Sequence, residues 1–241
     1  MCRNDVWPFA NNFSSYYSKF VKPLPTTDNL KIDAIFAFND PRDFGLDLAL
    51  TVDLLLSSKG VLGTLSPKNN DDALPNRGYQ QDGQPELYFS NPDLWWANSY
   101  PLSRLGQGAF REALEGVWAA ITGGPAAGVT LQREVMGKPY QKTYEFAERL
   151  LVQNRERLSA ESRHKLPPLR KVFMIGDNPE SDIAGANNFK SPLGIEWVSV
   201  LVETGVWRGG KPAHTPKMIM KDVFSAVQWA INSSEHDGNP S

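Results

Sequence analysis

The stretch Val172-Phe173-Met174-Ile175-Gly176-Asp177-Asn178-Pro179-Glu180-Ser181-Asp182 decides the fold of this chain. Its first four residues are all apolar, which is typical of a strand buried on both faces of a parallel sheet. Gly176 and Asp177 follow directly, so an acidic side chain comes at the carboxyl end of that strand. Ligands of open parallel sheets bind beyond the carboxyl ends of the strands. The stretch therefore predicts an α/β fold with a carboxylate at its ligand-binding edge.

The second half of the chain alternates between strand and helix patterns. Val129 to Met136 predicts a strand, Gly137-Lys138-Pro139 follows it, and a helix is predicted from about Pro139 to about Leu158. Further on, the patterns predict a short helix at Ser181–Asn188, a strand at Trp197–Val202 and a helix at Val223–Ile231. Such alternation is typical of a parallel α/β sheet. Lys138, like Asp177, is thus expected just after a strand.

The first half has its own set of predicted elements. Residues 1–30 show no clear period and are interpreted as a loosely ordered arm. The later patterns predict a strand at 32–38, a helix at 46–57, a long loop at 63–86, a strand at 87–89 and a helix at 108–121. The polar tail from Asn232 is expected to fray.

Composition excludes several classes of function. The formal net charge of −2 gives no bulk attraction to nucleic acid or anionic membranes. The basic stretch from Arg155 to Lys171 is interrupted by Glu156 and Glu161, so a solvated helix end and loop is favoured over a nucleic-acid site. No apolar run approaches the ~18 residues of a membrane span. Cys2 is the single cysteine, which excludes an internal disulfide.

Three side chains carry the chemical interpretation, Lys138 and Asp177 just after strands and Asp182 at the start of the following helix. Asp177 offers the oxygen ligand that Mg²⁺ prefers, and Asp182 can point back to the same crevice and orient the ligands there. Lys138 can reach a phosphate as a compact positive charge. Each has a plainer alternative, because Asn-Pro and Ser-Asp are ordinary turn and helix-cap residues and most lysines are solvated.

Taken together, a strand followed by Gly-Lys-Pro, a helix, and a strand followed by Gly-Asp-x4-Asp resemble motifs three and four of the haloacid-dehalogenase-type (HAD) superfamily. The resemblance implies a Rossmann-type core. It also implies that Lys138 neutralises the nucleophile and the transferring phosphoryl group, and that Asp177 ligates Mg²⁺. Asp182 would hold the site together from the outer shell.

The resemblance extends upstream to residues 38–47, 90–93 and 106–108, which look like the class IIA (NagD-like) branch. Within that branch, the pattern resembles the mitochondrial hydrolases of the cat-eye-syndrome critical region, including fungal members. It implies a partial C2-type cap at 31–133 and the C-terminal half of the core at 134–232, while the polar residues 233–241 are expected to form a disordered tail. The segment 91–104 would be a substrate-specificity loop, with candidate contacts at Asn91, Asp93, Trp95, Trp96 and Asn98. Both tryptophans could equally serve packing or a dimer interface.

One expected motif is absent from the sequence. HAD phosphatases place an Asp-x-Asp pair after an apolar strand, with the first aspartate as nucleophile. No two aspartates in the 241 residues are two positions apart, and the nearest imitation, Asp40 with Asp43, is three apart. We therefore expect an N-terminally truncated chain that is inactive alone.

Two hypotheses of function remain. The first is an Mg²⁺-dependent phosphatase of a small phosphorylated metabolite, with a link to glycerophospholipid metabolism implied by the resemblance alone. A homodimer through the cap is compatible with it. Mitochondrial localisation is implied by the family, although Met1 to Tyr17 lacks the pattern of a presequence, which leaves the cytoplasm open. The second hypothesis is a non-catalytic binding protein made of a cap and half a core.

Overall fold

The computed structural model describes residues 29–41, 43–162 and 166–236. The predictions made for the arm at 1–28, for a targeting signal there and for residues 237–241 lie outside this range. The described residues divide into two compact units, one formed by those within 29–89 and 110–134, and one formed by those within 90–109 and 135–236. Residues 90–109 thus group with the second unit, and the assignment of a cap at 31–133 stays a prediction.

The fold is α/β, as the sequence predicts. In chain order the regular elements are β1 (Ala34–Ala37), α1 (Phe44–Leu56), β2 (Glu86–Phe89), β3 (Trp95–Trp96), β4 (Arg104–Leu105), α2 (Gln107–Thr122), β5 (Glu134–Val135), α3 (Gln141–Glu161), β6 (Lys171–Gly176), α4 (Ala184–Asn188), β7 (Glu196–Val202), β8 (Met218–Met220) and α5 (Val223–His236). Short 3-10 turns at Pro75–Gly78 and Gly124–Ala127 and a π-helical turn at Pro179–Ile183 complete the described structure.

Several predicted boundaries were wrong. The strand predicted at 129–136 contracts to β5, because the backbone N–H groups of Thr130 and Gln132 donate to the side chains of Asn76 and Gln80 instead of to a strand. The helix predicted at 181–188 begins as a π-helical turn at Pro179. Helix α5 continues to His236, beyond its predicted end and into the segment expected to be tail. Strands β3, β4 and β8 were not predicted.

The first unit is built on a parallel pair of strands. β1 pairs with β2 in the register that joins Ala34 to Glu86 and Ala37 to Phe89. The core beneath them is apolar, with Leu55, Leu114 and Trp118 at most 1% exposed. Burial of large side chains such as these contributes about 1.5–3 kcal/mol each. Burial of this apolar core is therefore expected to contribute most to the stability of the first unit.

A buried carboxylate orders the long loop between α1 and β2. Asp82 Oδ2 accepts hydrogen bonds from Ser66 Oγ (2.9 Å) and Ser58 Oγ (3.1 Å), and its other oxygen lies 3.3 Å from Lys68 Nζ. The Ser66 hydroxyl is the largest cause that holds the pKa of Asp82 below its ordinary value, and Ser58 and Lys68 act in the same direction. The loop is therefore an organised element and not a loose connection.

The second unit contains a three-stranded parallel sheet in the order β6-β7-β8. β7 is central, and its residues Val198, Val200 and Val202 pack against Ala226 of α5. On the opposite face, Trp197 Nε1 donates to Glu148 Oε2 of α3 at 3.0 Å. The sheet is thus covered on both faces by helices, as parallel sheets require. This packing fixes the carboxyl end of β6, where the predicted site residues lie.

A stripe of apolar side chains on α5 stays exposed beside the edge strand β6. Among the described strands only β7 pairs with β6, so β6 is an edge strand of the described sheet. Beside it, Phe173 and Ile175 line an apolar groove of about 380 Å³ with Val227 and Ile231 of α5. Phe224, 70% exposed, extends the apolar stripe of the helix. Open edges and apolar patches of this kind promote association. None of the described helices is long and apolar enough to cross a bilayer.

We predict that the purified chain self-associates through the α5 stripe. The double substitution Phe224→Lys with Ile231→Lys should increase the monomer fraction, because it places two positive charges where apolar surface would be buried. The measurement is size-exclusion chromatography with light scattering over a concentration series. The control is Gln228→Lys with Asn232→Lys, which adds the same charge at exposed polar positions of the same helix. A wild-type chain that stays monomeric, or equal behaviour of both double variants, would contradict the prediction.

Candidate active site

The carboxyl end of β6 holds the first predicted site residue in a fixed position. Asp177 follows Gly176, the last residue of β6. Its Oδ2 accepts a hydrogen bond from Val206 N–H at 2.7 Å, and its backbone carbonyl accepts one from Trp207 N–H at 3.0 Å. Among the described residues no donor reaches its Oδ1. The loop after β7 thus clamps one oxygen of Asp177 and leaves the other available to a ligand.

Two glycines allow the close approach of the carboxylates. A Cβ on Gly176 would lie 2.2 Å from the carboxylate of Asp182, and one on Gly205 would lie 2.0 Å from Asp177 Oδ2. Real side chains do not tolerate such distances. Gly205 also has a φ of +118°, in the region that favours glycine. Both glycines are therefore required by the positions of the two acids.

Lys138 and Asp182 form a short ion pair within the second unit. Lys138 Nζ lies 2.5 Å from Asp182 Oδ1, and Asp182 Oδ2 accepts a hydrogen bond from Asn178 N–H at 3.1 Å. Asp182 is 2% exposed, whereas the side chain of Lys138 is 38% exposed. Burial alone would lower the pKa of Lys138, but the hydrogen bond and charge of Asp182 outweigh it and raise that pKa. Lys138 is therefore a cation at neutral pH whose outer part still reaches solvent.

Asp93 completes the charged cluster. Burial raises its pKa most, the carboxylates of Asp182 and Asp177 raise it further, and the charge of Lys138 opposes them. The Ser181 hydroxyl also lowers the pKa of Asp93, although its Oγ makes no hydrogen bond of normal geometry to any described residue. Three carboxylates and one ammonium thus interact at the end of β6, and two carboxyl groups, Asp93 and Asp177, remain beyond the Lys138–Asp182 pair.

A buried glutamine positions the segment that carries Asp93. Gln107, 1% exposed, accepts a hydrogen bond from Asn91 N–H through Oε1 at 2.8 Å. Asn91 Oδ1 accepts in turn from Asp93 N–H at 2.9 Å, and the Asp93 carbonyl accepts from Gly108 N–H. The side chain of Asn91 is therefore engaged in its own turn. Its role as a substrate contact stays a prediction, as does that of Asp93.

The remaining predicted substrate contacts are Trp95 and Trp96 in β3, which pairs with β4 in a ribbon, and Asn98 in the segment that follows β3. Trp95 and Trp96 are 41% and 44% exposed, and Trp96 Nε1 donates to Leu105 O within the ribbon. Asn98 accepts a hydrogen bond from Tyr100 N–H and lines a cleft with Glu203 and Arg208. Asn98 thus faces a cavity, while neither tryptophan lines it. Substrate contact by all three stays a prediction.

Three further features of the site were not predicted from the sequence. Tyr144 of α3 donates through its hydroxyl to the backbone carbonyls of Ser181 and Asp182, which supports the turn that bears Asp182. Burial, followed by the charges of Asp182 and Asp93, raises the pKa of Tyr144 well above its ordinary value, so it remains a donor. The second unpredicted feature is the loop at 203–210, and the third is the buried Gln107. The sequence Thr204-Gly205-Val206, separated by one residue from the end of β7, was the available signal for that loop.

The described residues fit a divalent cation only in part. Asp177 presents one carboxylate oxygen without a donor, and Asp93 lies in the same charged cluster. No group of three or more His, Cys, Asp or Glu side chains within 29–41, 43–162 and 166–236 is arranged to hold a metal ion. Mg²⁺ takes about six oxygen ligands, of which waters can supply several. These residues would therefore bind Mg²⁺ weakly by themselves.

Comparison with known families agrees with this geometry. Residues 135–226, which include Lys138, Asp177 and Asp182, match the family model described as HAD-hydrolase-like. This segment therefore belongs to the HAD-like hydrolases. A solved structure described as a possible sugar phosphatase of the HAD superfamily, from Cytophaga hutchinsonii, is 19% identical and covers 59% of this chain and 43% of its own, with a TM-score of 0.40.

Within that class the chain is similar to mitochondrial hydrolases of fungi. It is 36% identical over 239 residues to the mitochondrial hydrolase YKR070W of Saccharomyces cerevisiae, covering 92% of this chain and 62% of that protein. It is 38% identical over 227 residues to the cardiolipin synthase (CMP-forming)/mitochondrial hydrolase fusion protein of Schizosaccharomyces pombe, covering 94% of this chain and 33% of that protein. The chain thus spans between a third and about three fifths of the length of these relatives.

We predict that Asp182→Ala destabilises the second unit by about 2–4 kcal/mol. The substitution removes the carboxylate that accepts from the Lys138 ammonium and from Asn178 N–H, so both donors lose their acceptor. Urea unfolding followed by circular dichroism measures the loss. Glu180→Ala is the control, since it removes an exposed acid from the same turn and should change stability by less than about 0.5 kcal/mol. Equal losses in the two variants would contradict the structural role of the pair.

We also predict that Lys138→Met raises the pKa of Asp93 further, because the charge of Lys138 lowers that pKa in the wild-type chain. The folded-state pKa already lies above the ordinary 3.8, so the contribution of Asp93 to stability is full below that pH and is lost as pH rises through the folded value. The substitution should move this loss to higher pH. Carboxyl ¹³C shifts across a pH series measure the pKa.

The control for this measurement is Lys190→Met, which removes an exposed lysine of the same unit. Its effect on the Asp93 titration should be small, because exposed charges are screened by solvent. An unchanged Asp93 titration in Lys138→Met would show that the two groups do not interact.

Proposed function

We propose that this chain contributes the phosphate-handling half of an Mg²⁺-dependent HAD-type phosphatase that acts on a small phosphorylated metabolite. The observation that supports this most is the 2.5 Å ion pair of Lys138 and Asp182 beside Asp177 and Asp93 at the carboxyl end of a parallel strand. A charged group at this edge of an α/β sheet is where a ligand is expected. Membership of residues 135–226 in the HAD-like hydrolases gives the class of reaction.

Each residue has a proposed part in that reaction. Lys138 would neutralise a phosphoryl oxygen, because it is charged at neutral pH and its outer part is exposed. Asp182 would position Lys138 through the ion pair and would not touch the substrate, since it is buried. Asp177 would give its Oδ1 to Mg²⁺, which supplies charge stabilisation to the phosphoryl group when bound. Phosphoryl transfer depends on such positioning and charge.

The covalent part of the reaction needs a further group. The 241 residues contain no Asp-x-Asp pair, and no other nucleophile with a partnered base is proposed for this site. The described residues also supply Mg²⁺ with one carboxylate oxygen that lacks a donor. We therefore propose that this polypeptide, assayed by itself, binds phosphate but turns over phosphomonoesters slowly or not at all.

The relatives suggest a cellular setting. Those compared are named mitochondrial hydrolases, and one is fused to a cardiolipin synthase. We propose on this basis a mitochondrial protein of the class IIA branch with a C2-type cap, and a substrate linked to glycerophospholipid metabolism. A homodimer through the cap is part of the same proposal.

Metal binding and turnover test the function together. The chain is titrated with Mn²⁺ as a paramagnetic substitute for Mg²⁺, and amide signals near Gly176 to Asn178 are followed by NMR. We expect broadening of these signals in the wild-type chain, retention in Glu180→Gln and loss in a folded Asp177→Ala variant. Hydrolysis of p-nitrophenyl phosphate with Mg²⁺ is measured on the same samples, and any turnover should fall with Asp177→Ala.

Two outcomes would contradict the proposal. Mn²⁺ broadening or turnover that is unchanged in Asp177→Ala would remove Asp177 from the site. A folded wild-type chain that binds neither Mn²⁺ nor inorganic phosphate would favour the alternative, a non-catalytic binding protein.

A further inference from the structure

A polar cleft of about 600 Å³ lies in the second unit next to Asp177. Its lining residues are Ala97, Asn98, Glu203, Gly205, Arg208 and Gly209. The cleft adjoins the site because Gly205 approaches the Asp177 carboxylate closely and the next residue, Val206, donates to Asp177 Oδ2. A volume of this size suits a small molecule, since ligand sites span about 300–1,000 Å³.

The cleft presents two opposite charges that do not neutralise each other. Glu203 and Arg208 both line it, yet neither side chain forms an ion pair within the described part of the chain. Asn98 uses its Oδ1 for Tyr100 N–H, and its amide N–H₂ meets no described acceptor. One cleft thus offers a guanidinium, an amide donor and a carboxylate to a ligand. Guanidinium groups pair with carboxylate or phosphate through two parallel hydrogen bonds.

The loop after β7, which lines the cleft, is hydrogen-bonded through its backbone to Asp177. Asp177 receives hydrogen bonds from both Val206 and Trp207, so the loop that carries Arg208 has a fixed start. Gly209 and Gly210, both with positive φ, turn the chain directly after Arg208. Arg208 therefore lines the cleft from a backbone segment that is anchored at Asp177, while the phosphoryl end of a substrate would lie at Lys138. A backbone that is already fixed costs less ordering on binding.

We infer that this cleft receives the leaving group of the substrate and that Arg208, with Asn98, selects a phosphomonoester whose alcohol carries a second anionic group. Glu203 would accept a hydrogen bond from a hydroxyl group of the same leaving group. The inference rests on the proposed function, because Lys138 must hold the phosphoryl end for the leaving group to reach Arg208. Arg208 would then determine specificity and take no part in the bond cleavage.

A matched pair of ligands tests this inference by binding alone. 3-Phosphoglycerate and glycerol 3-phosphate share a phosphate and a three-carbon skeleton and differ in a carboxylate against a hydroxymethyl group. Isothermal titration calorimetry with the full chain should give about tenfold tighter binding of 3-phosphoglycerate, the size of one charge-assisted contact. Arg208→Gln should reduce the affinity for 3-phosphoglycerate to that for glycerol 3-phosphate. The affinity for glycerol 3-phosphate should stay unchanged. Arg208→Lys should restore part of the difference.

The control is Arg170→Gln, which removes an exposed arginine elsewhere in the unit and should preserve the preference. A second readout is the Arg208 Nε–H and Gly209 amide signals in NMR, which should shift with 3-phosphoglycerate and not with glycerol 3-phosphate.

The outcomes separate the two proposals. Equal affinities for both ligands, with binding still dependent on Lys138, would overturn the role of Arg208 and leave the proposed function standing. A preference that Arg170→Gln abolishes as fully as Arg208→Gln would show a general effect of charge and would also overturn it. Failure of the wild-type chain to bind either ligand or inorganic phosphate would overturn both.

Discussion

The structure of the site depends on the burial of one carboxylate. Asp182 is 2% exposed, and a buried charge is tolerated only when it is paired and hydrogen-bonded. One of its oxygens meets Lys138 and the other meets Asn178 N–H. The contact with Lys138 joins the segment after β5 to the turn after β6, although Lys138 and Asp182 are 44 residues apart in the chain. Gly176 lacks a side chain because the carboxylate of Asp182 fills that position.

From this constraint follows the distribution of charge around the site. Lys138 is held toward Asp182 and keeps its positive charge, while Asp177 is held apart by the loop after β7 with one oxygen available. The raised pKa of Asp93 reflects burial beside two other carboxylates and only one ammonium. An additional cation would relieve this imbalance. The same loop that holds Asp177 also carries Arg208 to the neighbouring cleft.

Prediction from the sequence worked where the local pattern matched the final environment. The apolar run Val172–Ile175 lies in β6, the largely apolar run Trp197–Val202 lies in the central strand β7, and α2 and α3 have helical spacing over many residues. It failed where a distant side chain competed for the backbone. Residues 129–133 have strand propensity, but Asn76 and Gln80, more than fifty residues away, take the hydrogen bonds that a strand would use. No local pattern reports such a competitor.

The sequence by itself determined the class of fold, the resemblance to the HAD-like hydrolases and the positions of Lys138 and Asp177 after strands, because apolar runs and the glycine–charge pairs that follow them are local features. The tertiary structure alone decided which of these groups meet. It paired Lys138 with Asp182 instead of Asp177, placed Asp93 among them, and brought Arg208 beside Asn98. These relations depend on packing and burial between residues far apart in the chain, since the distance between two charges and their exposure to water appear only once the chain has folded.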